Sequence, residues 1–552
     1  MSSGRLSFAA LLALAISAPA FAHGSADGKV DRALQDHLRT GAPTQSVIIT
    51  VKPGYRDTLR TALLKHGDRL KSEHPLIESL TVEVHSEDIT ELANQPWVES
   101  IASDAVVSAK GGPPQSQMQS WLTSVRSSVA TPVATTSLRP TLGLPGVPNS
   151  SSVTGATGVT VAIIDSGIAP NDDFEGRITG FYDFTQGGIP TTPYDDYGHG
   201  THVAGLIGSS GKLTNYQYAG VAPDVHLVGF KVLDGTGQGK TSDVIKAIEY
   251  IVANQAKLNV QIINLSLGHP IYAPAKYDPL VQAVEKATAA GLIVVTAAGN
   301  FGQTQKGPAS GYTGITSPGN APSAITIGAA ATQDTVTRDD DVVAPYSSRG
   351  PTWFDAYAKP DVVAPAHNLA SDASTSSYLY KLLKANHVGA KNGEQLLALS
   401  GSSMATAVTS GVVALMLQAH NQSGYHHQAP LTANLVKGML QFSAIKLNGG
   451  DVLTQGAGEI NAAGAIALAG AIDTGAQNWW LGSLVLPAST IGNQVYTWSR
   501  EVIYGANVLG GDVLYVNNIA WSTNVVWGTQ AVWGAGVVVD ADNIVWRAVS
   551  VW

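Results

Sequence analysis

Four positions carry side chains whose types and order suit nucleophilic chemistry. Asp165 closes the apolar run VTVAIID (159–165) and is followed at once by Ser166-Gly167. His199 stands between two glycines in DDYGHGTHVAGLIG (195–208), Asn300 closes LIVVTAAGN (292–300), and Ser402 and Ser403 stand side by side in SGSSMAT (400–406). Each has an ordinary reading alone: a strand-ending aspartate, a loop asparagine, a serine N-cap. Together they make a chemical sequence. An aspartate orients an imidazole, the imidazole takes a serine proton, and an asparagine amide with backbone N–H groups stabilises the oxyanion of an acyl transfer. Aspartate, histidine, serine is one of the recurring chain orders for this set. Such a base must be neutral imidazole, so activity is expected at neutral to alkaline pH.

Local sequence does not separate the two serines, because either hydroxyl can open the helix expected to follow, about 15 residues long, and meet the positive end of its dipole. His202 follows His199 at i+3. The zinc-binding helix uses i+4 with an intervening glutamate, so His202 reads as a hydrogen-bonded structural residue.

The elements that must place these groups are short β-branched runs alternating with helical stretches, among them VHLVGFKVLD, SDVIKAIEYIVANQ, VQIINLSLG, LVQAVEKATAAG and SAITIGAA. Continuous apolar strands separated by helices imply an α/β fold, a mostly parallel sheet with helices on both faces. Working residues in such sheets gather at the carboxyl ends of strands, where Asp165 and Asn300 fall.

The surrounding chain divides by composition. Residues 1–22 have the parts of a secretory signal: Arg5, an apolar stretch from Leu6 to Ile16, and Ala20-Phe21-Ala22 before His23. That stretch is about half the length needed to span a bilayer, and no other segment reads as long and apolar enough, so a secreted, soluble product is expected. Residues 44–107 read as strand, helix, one or two strands, helix, strand, the order of a small ferredoxin-like α+β unit. Residues 108–154 are rich in Gly, Pro, Ser and Thr and form a linker; residues 155–470 hold the α/β domain. From 475 to 552 the chain is Trp-rich: eight of its eleven tryptophans lie there, and Trp521, Trp527 and Trp533, then Trp546 and Trp552, are six residues apart. An even period puts each group on one face of extended chain, so a β-rich tail is expected, its rings packing a sheet in preference to stacking on sugars. With a net charge of -9 and 13% charged residues, the chain lacks the basic footprint of a nucleic-acid binder. It has no cysteine, so an exported form must rely on its core, or on its core and bound ions, in place of disulfides.

At this point the sequence resembles the subtilisin-like serine proteases, the subtilase family. The resemblance rests on VAIIDSGI (161–168), GHGTHVAG (198–205), KVLDGTGQG (231–239), NLSLG (264–268), VTAAGN (295–300), YSSRGPT (346–352), KPDVVAPA (359–366) and SGSSMAT (400–406). It implies a triad of Asp165, His199 and Ser403, with Asn300 as side-chain oxyanion donor. Ser402 then stands where the family usually has threonine. The resemblance also implies protein or peptide substrates bound as a strand between Gly237-Gln238-Gly239 and Ser266-Leu267-Gly268, and no cofactor for the chemistry. The unit at 44–107 is similar to the family's inhibitor-type propeptide, which implies an intramolecular inhibitor removed by cleavage somewhere from 105 to 120. A monomer is expected. No charge near Gly235–Thr241 or Ser266–Gly268 calls for a basic P1 residue, so broad or apolar specificity is expected. The family's structural calcium does not map onto particular residues; Asp172-Asp173 and Asp339-Asp340-Asp341 read as solvated turns. Ala407 and Ala366 stand where the family commonly has proline and glycine, and alanine there is compatible with the helix.

Overall fold

A computed structural model describes residues 28–109, 138–146, 155–303, 310–389, 395–425, 429–474, 480–481, 485–505 and 507–510. The signal-type leader, most of the linker and the tryptophans from 521 onward lie outside the described residues.

The N-terminal unit contains α1 (Arg32–Leu38), β1 (Thr44–Val51), α2 (Arg56–His66), β2 (Arg69–His74), β3 (Ser79–His85), α3 (Ile89–Asn94), β4 (Val98–Ser103) and a detached β5 (Val106–Ser108). Its sheet runs β2-β3-β1-β4, antiparallel throughout, which is the ferredoxin-like order. Alternation along β1 divides the burial. Val47 and Ile49 face the unit's own helices beside Leu59, Leu63 and Leu92. Ile48 points the other way, into the core of the larger domain.

The larger domain is built on β6 (Thr160–Asp165), β7 (Ile178–Asp183), α4 (His199–Gly208), β8 (His226–Lys231), β9 (Gln238–Lys240), α5 (Thr241–Ala253), β10 (Ile262–Leu265), α6 (Pro279–Ala289), β11 (Ile293–Ala297), β12 (Ile325–Ala331), β13 (Val362–Pro365), α7 (Ser402–Asn421), α8 (Ala433–Ser443) and α9 (Ala462–Ala471). Seven strands lie parallel in the order β7-β8-β6-β10-β11-β12-β13, with two-residue antiparallel strands at 189–190 and 342–343 completing the nine-stranded sheet. The continuous apolar runs have the cause expected of them, since both faces are covered. On β6, Val161 and Ile163 pack with Val203, Val408 and Val412 on one side, while Ala162 and Ile164 pack with Val244, Ile248 and Val284 on the other.

Helix α7 runs 20 residues, five more than its sequence suggests, and Ala407 is one of its fully buried positions. A proline at 407 would remove a backbone donor and crowd the preceding turn; alanine lets the helix pass uninterrupted. Among the described residues α7 is also the one helix long and apolar enough to cross a membrane, yet 94% of its apolar window is buried within this fold, so its hydropathy belongs to a core helix. The expected break near 475 does not interrupt the core either. Trp498, Val502 and Ile503 join the main apolar cluster, and Trp498 Nε1 donates to Ser489 Oγ at 2.9 Å. The paired strands at 488–491 and 494–497 are too small to be stable alone and pack back on the domain.

Candidate active site

Asp165 ends β6, an interior strand between β8 and β10, and is completely buried. His199 opens α4, and its Nδ1 lies 2.8 and 2.9 Å from the two Asp165 carboxylate oxygens, so Nδ1 carries the proton and Nε2 is the basic nitrogen. Two glycines make this approach possible. Gly198 turns the chain at φ 104, and a Cβ there would strike the Ser377 side chain; a Cβ on Gly200 would run into the Gly167 carbonyl beside Asp165. His202 is also where its spacing predicts, wholly buried with Nε2 donating to the Leu369 carbonyl at 3.0 Å. Burial pushes its pKa down to about 3, which keeps it a neutral, structural imidazole.

Gly401 caps α7 at φ 153 and ψ 159 without a side-chain hydrogen bond, so neither serine acts as the N-cap. Their roles separate instead through their contacts. Ser402 Oγ accepts from the Gly299 N–H at 3.2 Å, and the Ser402 N–H donates to Asn300 Oδ1 at 2.9 Å. Ser402 therefore fastens the helix start to the loop after β11. Ser403 lines the same small cavity as His199 and Asn300, and its Oγ lies 3.1 Å from the carbonyl oxygens of both Ala109 and Ser266. Among the described residues it makes no hydrogen bond to His199; the hydroxyl is turned toward these two carbonyls.

The chain contributing Ala109 occupies the groove as a strand. Gln238, Gly239 and Lys240 of β9 pair antiparallel with Ser108, Val107 and Val106. On the opposite edge Ser108 and Gly268 exchange two backbone hydrogen bonds of 3.1 Å, and the Ala109 N–H reaches the Gly237 carbonyl at 3.4 Å. Gly237, Gln238, Gly239 and Gly268 thus flank an extended backbone on both sides. Ser266 differs: its side chain is turned away from the groove, donating to the Ser403 carbonyl at 3.0 Å. Leu267 is buried in the core of the α5 and α6 face.

Several residues that hold this site are invisible to motif reading. Asp195, fully buried, accepts from Ser166 Oγ, from the N–H groups of Tyr197, Gly198 and Thr201, and from Thr201 Oγ1, at 2.7 to 3.2 Å. Burial raises its pKa, against the pull of these bonds; the carboxylate shapes the loop that delivers His199. Lys231 ends β8 with its ammonium buried, donating to the carbonyls of Ser166 and Leu233 at 2.7 Å and to Asp196 at 2.6 Å. Thr316 fills the space between Gly268 and Gly299, where a Cβ on either glycine would press on its side chain.

Of the two acidic stretches read as solvated turns, Asp172, Asp339 and Asp340 are exposed, but Asp173 and Asp341 are not. Asp173 is buried and accepts from Ser209 Oγ, Ser210 Oγ and the Leu213 N–H, because the short helix at 172–174 folds inward. Asp341 is buried beside Arg338 and Glu459, and burial with the neighbouring Glu459 charge pushes its pKa up to about 9.

An apolar parallel sheet bearing an aspartate-oriented histidine and a serine at the start of a buried helix defines a class of hydrolases, the serine proteases with their triad in this chain order. The subtilase family (peptidase S8) matches residues 156–460, and the chain belongs to that family. It is 41% identical over 321 residues to the serine protease AprX of Bacillus subtilis (strain 168), covering 57% of this chain and 67% of that one. Subtilisin E of the same organism is 34% identical over 274 residues, 49% of this chain and 58% of that one. Fervidolysin from Fervidobacterium pennivorans, a keratinolytic enzyme related to subtilisin, has a TM-score of 0.55 at 18% identity, covering 77% of this chain and 61% of that chain; at that identity the likeness is one of fold. The chain is a subtilisin-like serine protease, and its substrates are proteins.

Proposed function

We propose that the chain is a secreted endopeptidase made as a zymogen, that Ser403, His199 and Asp165 form its triad with Asn300 as oxyanion donor, and that it cleaves itself after Ala109. The observation that carries this reading is the Ala109 carbonyl oxygen 3.1 Å from Ser403 Oγ, at the end of a strand held from both sides by the groove. The 106–109 segment lies as a peptide substrate would. In the reaction the Ser403 hydroxyl turns to His199 Nε2, gives up its proton and attacks the Ala109 carbonyl carbon. The Asn300 amide, its oxygen already held by the Ser402 N–H, turns its Nδ2 donor to the developing oxyanion. His199 then protonates the departing nitrogen of Lys110, leaving an ester on Ser403 that water hydrolyses. The N-terminal unit, still seated on β9 and α5, acts as the intramolecular inhibitor.

Mass spectrometry of the secreted product tests the reading. Wild type should yield a mature chain beginning at Lys110 or trimmed beyond it, while Ser403→Ala should remain joined across 109 and 110. A Ser403→Ala chain processed at the same bond without any added protease would overturn it.

A further inference from the structure

The N-terminal unit holds a four-residue cluster unrelated to the catalytic groove. His66 ends α2, Gly67 turns the chain at φ 93, and Asp68 follows; His85 ends β3, and Asp88 lies at the start of α3. One nitrogen or oxygen from each lies within 4.8 Å of all the others. The spacings are informative. His85 Nδ1 is 3.4 Å from Asp68 Oδ1 and 3.7 Å from Asp88 Oδ2, and His66 Nε2 is 3.7 Å from Asp88 Oδ2. Charge-assisted hydrogen bonds would close to about 2.7–2.9 Å. Four ligands around a metal at about 2.0–2.1 Å stand roughly 3.3–3.4 Å apart along the edges of the tetrahedron.

Two further observations point to a ligand. The Asp68 side chain is fully buried, and its Oδ1, like Asp88 Oδ2, takes part in no hydrogen bond. Among the described residues neither carboxylate pairs with a lysine or arginine; their ion-pair partners are the two imidazoles. With neutral histidines the cluster would bury two negative charges without compensation, a costly arrangement. Asp68 Oδ2 meanwhile lies 3.0 Å from His66 Nδ1, so the buried carboxylate reaches that ring through its second oxygen.

We propose that His66, Asp68, His85 and Asp88 bind a divalent transition metal of the zinc class, each side chain offering one ligand atom. Two imidazoles among four ligands favour zinc over calcium or magnesium, which prefer all-oxygen shells. The ion ties the end of α2 to the junction of β3 and α3, and the partly exposed His85 ring is its point of entry. The inference does not depend on the protease reading.

The test uses the full-length Ser403→Ala chain stripped with a chelator and titrated with Co2+. One equivalent should give the intense visible absorption of tetrahedral cobalt, abolished by competing Zn2+. Asp68→Asn with Asp88→Asn should weaken binding roughly 10–100-fold or more. Absence of stoichiometric cobalt binding, or a spectrum unchanged in the double variant, overturns the proposal. Because those variants can misfold, a second measurement uses the unaltered cluster. One equivalent of Zn2+ should protect His66 and His85 from diethyl pyrocarbonate while exposed His37 stays reactive, and equal modification with and without zinc overturns the site.

Discussion

Asn300 is held through its oxygen, which accepts from the Ser402 N–H, so the group it would turn to a developing oxyanion is the amide donor. Asn300→Ala should lower kcat by ~10²–10³ with little change in KM, because the contact forms in the transition state; that magnitude is the one measured on removing the corresponding asparagine of subtilisin, carried over to this chain. A loss confined to KM in steady-state peptide hydrolysis would remove Asn300 from the oxyanion site. Thr316 carries a prediction about specificity. Its side chain fills the gap between Gly268, which pairs with Ser108, and Gly299, next to Asn300, and small P1 residues such as alanine should therefore be preferred. Thr316→Gly should raise kcat/KM for Phe over Ala at P1 by about 10-fold or more, since methylene-sized differences in a pocket are worth ~1–3 kcal/mol. An unchanged Phe-to-Ala ratio would place the pocket floor elsewhere. The catalytic candidates are legible in the sequence because each stands in a distinctive local frame: the end of an apolar strand, a glycine pair, a helix start. Asp195, Lys231 and Thr316 are not, because their importance lies in what a distant segment brings to them. Asp195 matters through bonds to Ser166 and Thr201, and Thr316 through two glycines far away in sequence.

The strand and helix alternation of 155–470 is read correctly from sequence because apolar runs buried on both faces leave few other folds. The turns misread are those where polarity suggests water and packing supplies partners instead, as at Asp173. Asp173 has a consequence for α4, the helix that carries His199. It faces Asp372, whose Oδ1 accepts from Asn171 Nδ2 at 2.8 Å; burial, then the Asp173 charge, pushes the Asp372 pKa up to about 8. A free aspartate in the unfolded chain titrates near 3.9. Between those values the folded protein holds a proton that the unfolded chain has lost, so stability falls as pH rises through the window, by up to ~1.4 kcal/mol per pH unit for one proton. Asp372→Asn cannot ionise and can keep the Asn171 bond while donating to Asp173. In a Ser403→Ala background, which prevents autolysis, Asp372→Asn should therefore gain melting temperature over its parent as pH is raised from 6 to 9. Melting curves that shift in parallel would show that the pair does not share a proton.

At the scale of the whole molecule, the N-terminal unit is joined to the protease by more than the strand in the groove. Helix α5 begins after Lys240 without a capping side chain of its own, and the Asp104 carboxylate fills that role, accepting from the Ser242 N–H at 3.0 Å and from Ser242 Oγ at 3.1 Å. A carboxylate here satisfies an otherwise unpaired helix donor and meets the positive end of the dipole. Glu249, farther along α5, accepts from the Leu76 N–H at 2.9 Å and lies 3.3 Å from His74 Nδ1. These contacts lie outside the reacting centre, so they can hold the unit in place after the bond at Ala109 is cut without altering the cutting itself. Asp104→Ala removes the cap and should cost ~1 kcal/mol or somewhat more, enough to loosen the cleaved unit by about 5- to 10-fold. The first cut should proceed at close to the wild-type rate, while the lag before hydrolysis of an added protein substrate shortens. Following both in one experiment, processing by mass and activity by a fluorogenic substrate, separates the two effects. A variant that processes slowly, with its lag unchanged relative to that slower processing, would mean that Asp104 serves the folding of the protease and not the retention of its inhibitor.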